Sequence, residues 1–291
     1  MNGVILLNKE KDMTSRDCVN KACKYLKTKK IGHTGTLDPL ATGVLILCVG
    51  NATKIVDIIT SKEKEYVATF QMGILTDTLD NTGNIIKETD IKSTKEEIEK
   101  AIISFKKTYD QQVPIYSAVK VNGKKLYEYA RNNEEVKLPS RTVTIHNIEI
   151  LNIDLSSNMV MIKTTVSKGT YIRSLINDIC VSLNTFGIMT DLKRTKQGNI
   201  SIEQCCTLED IKNNEFKIYE IDQFVNGYKE LVVDEELESK ILNGQILDKP
   251  DLLEEEILFR NKEKEILAIY KIYEKDNTKI KPHKMFKNRK I

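Results

Sequence analysis

A chain of 291 residues, 40% hydrophobic and 30% charged, holds enough apolar side chain for one large domain, or a large and a small one, and too much for a disordered protein. It has no run of about 18 apolar residues, which excludes a transmembrane helix, and its start (Met1-Asn2-Gly3-Val4-Ile5-Leu6-Leu7-Asn8) lacks the basic flank and the length of a signal peptide, so a cytoplasmic location without membrane contact is expected. The net charge of +3 is laid out unevenly, as +5 over residues 1–62, −10 over 208–256 and +7 over 257–291; this suits a polyanion held by patches, and equally an ordinary solvated surface.

In chain order, residues 4–7 read as a buried strand. A helix is expected from about 15 to 29, capped by Thr14 or Ser15, with Val19, Ala22, Cys23 and Leu26 as its apolar stripe and Lys21, Lys24 and Lys27 on the other face. A loop follows over 32–43. Residues 43–49 and 66–72 read as strands, and Ser93-Thr94-Lys95-Glu96 as a capping box opening a helix through Ile98, Ile102 and Phe105. Strands are expected at roughly 142–151 and 159–166. Ser167-Lys168-Gly169-Thr170 then turns the chain into a helix whose apolar stripe is Ile172, Leu175, Ile176, Ile179, Cys180 and Leu183, with Arg173 off that stripe near the helix start. A boundary is plausible near 225–232, followed by strand-like runs at 256–259 and 266–272. Strands and helices interleave without a regular βαβ rhythm, which predicts an α+β fold with a mixed or antiparallel sheet.

Six cysteines (Cys18, Cys23, Cys48, Cys180, Cys205 and Cys206) form no C-x-x-C pair, and with His33, His146 and His283 they give no zinc spacing. They read as free thiols, several of them buried. Asp77-Thr78-Leu79-Asp80-Asn81-Thr82-Gly83 fails as a calcium loop, because Leu79 takes a ligand position and the glycine comes one place late. No nucleotide-binding glycine fingerprint is present.

The richest stretch is Gly32-His33-Thr34-Gly35-Thr36-Leu37-Asp38-Pro39-Leu40-Ala41-Thr42-Gly43. Three glycines and a proline make it a loop into which a ligand can come close to the backbone. From chemistry alone, Asp38 is a nucleophile, a general base, or a turn aspartate bonding its own backbone.

That stretch fills every fixed position of the G-H-x-G-x-L-D-P-x-A-x-G signature of the TruB family, the tRNA pseudouridine-55 synthases, and so resembles it. Further runs are similar to the family in the same order: Lys64-Glu65-Tyr66-Val67-Ala68, Gly73 to Asp80, Tyr116-Ser117-Ala118-Val119-Lys120 with Leu126 to Arg131, and Gly169-Thr170-Tyr171-Ile172-Arg173-Ser174-Leu175. The resemblance spans residues 3 to about 210. It implies a pseudouridine-synthase fold with a mixed, mainly antiparallel central sheet flanked by helices. A catalytic domain over 1–228, with an RNA-binding insertion at about 105–140, would be followed by a small PUA-like β domain over 229–291.

By the same resemblance Asp38 is the nucleophile, Arg173 the arginine that pairs with it, and Tyr66 the aromatic that stacks on a flipped base and relays its proton. Tyr171 and Leu192 line the uracil pocket, His33 fills the space the base vacates, and Lys54 meets the RNA. Read without it, Tyr66 is an ordinary strand aromatic, Arg173 a surface arginine and Lys54 a solvated lysine. The implied activity is isomerisation of uridine 55 in the T-loop of tRNA, by a monomer needing neither metal nor cofactor, with a tRNA-folding chaperone role also allowed. Two other readings stay open: the catalytic subunit of a guide-RNA pseudouridylation particle, and a non-catalytic RNA-binding module. The basic end (Lys281, Lys284, Lys287, Arg289, Lys290) suits the acceptor arm of tRNA, or is a frayed tail.

Overall fold

The computed structural model describes residues 1–250 and 255–286. In chain order its strands are β1 (Gly3–Lys9), β2 (Ile31–His33), β3 (Thr42–Val49), β4 (Lys64–Met72), the hairpin β5 (Ile74–Thr76) and β6 (Ile85–Glu88), β7 (Thr108–Gln112), and the short hairpin β8 (Lys120–Val121) and β9 (Lys124–Lys125). Then come β10 (Ser140–Asp154), β11 (Met159–Val166), β12 (Gly187–Gln197), β13 (Ile200–Ser201), β14 (Lys229–Val232), β15 (Leu247–Asp248), β16 (Glu256–Arg260), β17 (Ile266–Tyr273) and β18 (Asp276–Met285). The helices are α1 (Ser15–Tyr25), α2 (Val56–Thr60), α3 (Lys95–Ser104), α4 (Leu126–Arg131), α5 (Ile172–Ser182), α6 (Leu208–Asn213) and α7 (Glu235–Leu242).

The central sheet runs β1-β3-β12-β4-β11-β10-β7, with β2 added on β3 and β13 on β12. Every pairing in it is antiparallel except β3 with β12. The mixed, mainly antiparallel α+β sheet expected from the sequence is the one present. Strand β4 shows why the chain settles this way. Its alternation buries Lys64, Tyr66, Ala68, Phe70 and Met72 on one face. The last three join the main core beneath α1, α3 and α5, and Tyr66 and Lys64 continue the same face toward the cavity described below.

Strands β1 and β3 are apolar on both faces because both are covered. Ile5, Leu7, Leu45 and Leu47 face the main core. Val4, Leu6, Val44, Ile46 and Cys48 pack with Leu258, Ile269 and Phe286 from a second sheet, ordered β14-β16-β17-β18-β15. Polar contacts fasten the two sheets along the same seam. Lys284 pairs with Asp57 at 2.6 Å, Asn51 donates its side-chain N–H to the Phe286 carbonyl at 3.1 Å, and Lys54 donates to the Met285 carbonyl.

Two expectations need correcting in detail. Helix α1 stops at Tyr25 rather than at 29, because Lys27 turns left-handed (φ 50°) and the Thr28 N–H bonds back to the Cys23 carbonyl. Its cap is Thr14, whose hydroxyl receives the Asp17 N–H. The box opening α3 uses Thr94 with Glu97, one place later than Ser93 with Glu96, since both pairs fit the pattern. All six cysteines are free, with Cys18, Cys48 and Cys180 buried. Among the described residues no helix is long and apolar enough to cross a membrane, and no cluster of ligand residues fits a metal. Lys281 and Lys284 of the basic end are paired with Glu274 and Asp57; Lys287, Arg289 and Lys290 lie outside the described residues.

The parallel pairing of β3 with β12 depends on Gly43. It has φ +102°, and a Cβ there would lie 2.2 Å from the Arg194 carbonyl oxygen. Gly43→Ala is therefore expected to destabilise the protein by about 3 kcal/mol. A thermal melt should show Tm lower by roughly 5 °C; an unchanged Tm would mean the pairing tolerates a side chain.

Candidate active site

The loop between β2 and β3 carries Asp38, and its backbone is over-determined. The Thr34 N–H bonds to the Ile46 carbonyl at 3.1 Å and the Asp12 N–H to the Pro39 carbonyl at 2.9 Å. The Leu37 N–H donates to the Ser15 hydroxyl at 2.8 Å. The Gln197 side-chain N–H donates to the Thr34 carbonyl at 2.9 Å, and Arg194 donates to the Gly35 carbonyl at 3.2 Å and the Val44 carbonyl at 2.6 Å. The Lys9 ammonium donates to the carbonyls of Glu10, Met13 and Pro39. Lys9, Arg194 and Gln197 are all buried. Burial lowers the pKa of Lys9, and the negative charge of Asp38 is among the influences opposing that shift.

Arg173, in the first turn of α5, faces this loop. Its Nη2 donates to Asp38 Oδ1 at 3.3 Å, and its Nε makes an ion-pair contact with Oδ2 at 3.0 Å that is off the N–H axis. The same guanidinium donates to the Thr78 carbonyl at 2.8 Å and the Tyr116 carbonyl at 3.0 Å, and its Nη1 stands 3.8 Å from the buried Asp80. The arginine side chain is 5% exposed and that of Asp38 is 34% exposed, so the cation is sealed while the carboxylate opens outward. This geometry holds the carboxylate in one orientation.

Asp38 opens into a cavity of about 530 Å³, lined also by Tyr66 from β4, Tyr171 and Arg173 from the start of α5, and Leu192 from β12. Around these stand Lys64, Lys120, Arg141 and Lys168, which make the walls electropositive. The chamber thus offers an anionic carboxylate, an aromatic wall and a cationic rim.

Five of the seven candidate residues, Asp38, Tyr66, Arg173, Tyr171 and Leu192, line this one cavity; two lie outside it. His33 is on β2, with its Nδ1 buried and unpartnered. Burial, with Arg16 and Arg194 nearby, lowers its pKa and favours the neutral ring. Lys54 is turned away to the Met285 carbonyl, where it ties the second sheet to the first. The expected RNA-binding insertion contains β7 on the sheet edge, the β8–β9 hairpin and α4. Lys124 stacks over Tyr129 at 4.7 Å, and Lys125 and Arg131 over Tyr127 at 5.3 and 5.2 Å. Sequence reasoning missed Lys9, Arg194 and Gln197, whose charges and amide look like surface groups until the fold buries them. It also assigned no role to Lys64 or Asp80, although both stand in the runs similar to the family.

Comparison with solved structures agrees with this architecture. The chain superposes on a Cbf5–Nop10–Gar1 complex with a TM-score of 0.72 at 23% identity, covering 99% of this chain and 85% of that one. On an H/ACA RNP bound to a substrate RNA containing 2′-deoxyuridine the TM-score is 0.71, also at 23% identity, covering 99% and 86%. The fold is that of the pseudouridine synthases. Residues 23–172 match the TruB family pseudouridylate synthase N-terminal domain. The tRNA pseudouridine synthase B of Clostridium kluyveri is 45% identical over 246 residues, covering 84% of each chain. That of Bacillus cereus is 40% identical over 301 residues, covering 99% of this chain and 98% of its own. The chain belongs to the TruB family.

Lys64 gives the cavity a pH-sensitive wall. Its ammonium donates to the carbonyls of Thr60 and Lys62, and burial, with Arg194 and Lys168 nearby, brings its pKa down to about 8. An unfolded lysine titrates at about 10.4, so between these values the unfolded chain holds more protons, and the charged group weakens the fold below pH 8. The stability of the native protein relative to Lys64→Met should therefore rise as pH increases from 8 to 10, with an NMR midpoint for the Lys64 amine near 8. A midpoint near 10.4 would show that the ammonium is not desolvated.

Proposed function

We propose that this chain converts uridine 55 in the T-loop of tRNA to pseudouridine, acting as a monomer in the cytoplasm. What carries the reading is one geometric fact: a buried guanidinium aims a partly exposed carboxylate, Asp38, into a cavity walled by Tyr66. Its choice of substrate is supported by the full-length likeness to proteins named tRNA pseudouridine synthase B.

The reaction is an isomerisation. The bond from ribose C1′ to uracil N1 breaks, the uracil turns, a bond from C1′ to C5 forms, the C5 proton leaves, and N1 ends protonated. Asp38 is the nucleophilic group at the reacting centre, and Arg173 keeps it oriented. Flipping the nucleotide out of its stack costs a few kcal/mol, of which stacking on an aromatic such as Tyr66 offsets about 1–3 kcal/mol. The Tyr66 hydroxyl relays the C5 proton. Tyr171 and Leu192 enclose the base, and the neutral ring of His33 stacks where the base has left. Lys54 serves RNA indirectly, by holding the second sheet in place. The catalytic unit is residues 1–228, with its RNA-contacting insertion at about 105–140, and residues 229–291 form a PUA-like RNA-binding unit.

Unmodified tRNA labelled with tritium at uridine C5 tests the reading. The native protein should release the label without any guide RNA. Asp38→Asn should bind tRNA with similar affinity and release at least about 1,000-fold more slowly, the size of effect expected when a group acting as a unit with its partner is lost. Release by the Asn variant at the native rate, or none from the native protein, would refute the proposal.

A further inference from the structure

Helix α5 presents Tyr171 and Arg173 to the cavity, yet its N-cap residue, Tyr171, supplies no side-chain cap. What holds its start comes from β7. The Gln111 side-chain carbonyl accepts the Tyr171 N–H at 2.8 Å, and its amide N–H donates to the Tyr109 hydroxyl at 2.8 Å. That hydroxyl donates in turn to Asp178 Oδ2 at 3.0 Å. Residue 178 lies seven positions, about two turns, beyond 171 on the same helix, so the chain of bonds begins and ends on α5. Next to it, the Ser174 hydroxyl donates to the Gln112 carbonyl at 2.9 Å. Arg173 sits between the two points at which consecutive residues of β7 grip the helix.

The orientation of the Gln111 amide is fixed by its partners. The Tyr171 N–H needs an oxygen, and the Tyr109 proton is committed to a carboxylate, leaving its oxygen to accept from the amide nitrogen. Gln111 is 1% exposed, so water cannot replace either bond. Burial and the Asp178 charge raise the pKa of Tyr109, which keeps it a donor. Gln111, Tyr109 and Asp178 do not line the cavity. Their effect is on where the helix start lies.

We propose that Gln111 is a positioning residue for the rearrangement: through the Tyr171 backbone it sets the start of α5, and with it the guanidinium of Arg173 against Asp38. The proposal rests on the pseudouridine-synthase reading above. Arg173 must reach Asp38, the Thr78 carbonyl and the Tyr116 carbonyl at once, so a small drift of the helix start breaks the set.

The experiment measures single-turnover tritium release and tRNA affinity for the native protein, Gln111→Leu and Gln111→Glu. Leucine keeps the shape and removes both bonds. Glutamate, held in its neutral form by burial, keeps an oxygen for the Tyr171 N–H and an O–H for the Tyr109 oxygen. Gln111→Leu should release roughly 10–100-fold more slowly, as for a misplaced reacting group, with tRNA affinity unchanged within about twofold. Gln111→Glu should recover most of that loss, and amide hydrogen exchange should show Tyr171 protected in the Glu variant and unprotected in the Leu variant. A Leu variant as fast as the native protein, a parallel loss of rate and affinity, or a Glu variant no faster than the Leu variant would each overturn the proposal. Should Gln111→Leu fail to fold, the Glu variant decides alone, by native-like rate and Tyr171 protection or the lack of both. No release from the native protein would instead refute the functional reading itself.

Discussion

One buried guanidinium organises this molecule. Arg173 is the point at which helix α5, which carries it, meets the Asp38 loop, the turn at Thr78 and the segment at Tyr116, and each of these three offers it an oxygen. A cation withdrawn this far from water is stable only with such partners, since breaking a buried pair costs about 3–5 kcal/mol. The requirement runs both ways. The fold must bring four distant segments together to satisfy the arginine, and once it has done so the carboxylate has no freedom left to leave the cavity.

The same logic extends outward. The glycine-punctuated loop is a rigid element, because Lys9, Arg194 and Gln197 occupy its carbonyls from within the protein. A reactive group fixed before the substrate arrives needs no reorganisation at the moment of reaction. Strand β4 contributes by simple alternation: the period that sends Ala68, Phe70 and Met72 into the core sends Tyr66 and Lys64 to the cavity. The second sheet completes the frame, giving β1 and β3 their second apolar cover and using Lys54 as a clamp.

Much of this was legible in the sequence. The alternation of β4, the stripe of α5 and the punctuation of the Asp38 loop announce their structures, and the family resemblance picked out five residues that share one cavity. What stayed hidden is long-range. Lys54 and Met285 are 231 positions apart, and no local pattern says that this lysine will find that carbonyl rather than a phosphate. Lys9 and Arg194 read as surface charges because most lysines and arginines are. The early end of α1 rests on a left-handed Lys27, a conformation that only glycine or asparagine would have advertised. The capping box of α3 was ambiguous by one residue because two overlapping pairs satisfy it.

In the proposed reaction Arg173 holds Asp38 in a fixed orientation through a forked, multi-point contact, for which charge alone is insufficient. Lysine keeps the charge and loses the fork. The direct measurement is the single-turnover rate of C5 tritium release by Arg173→Lys, alongside its affinity for the same tRNA. The expected rate is at least about 100-fold below that of the native protein, with affinity unchanged within about twofold. A lysine variant that reacts within threefold of the native rate would contradict it, because a point charge would then suffice.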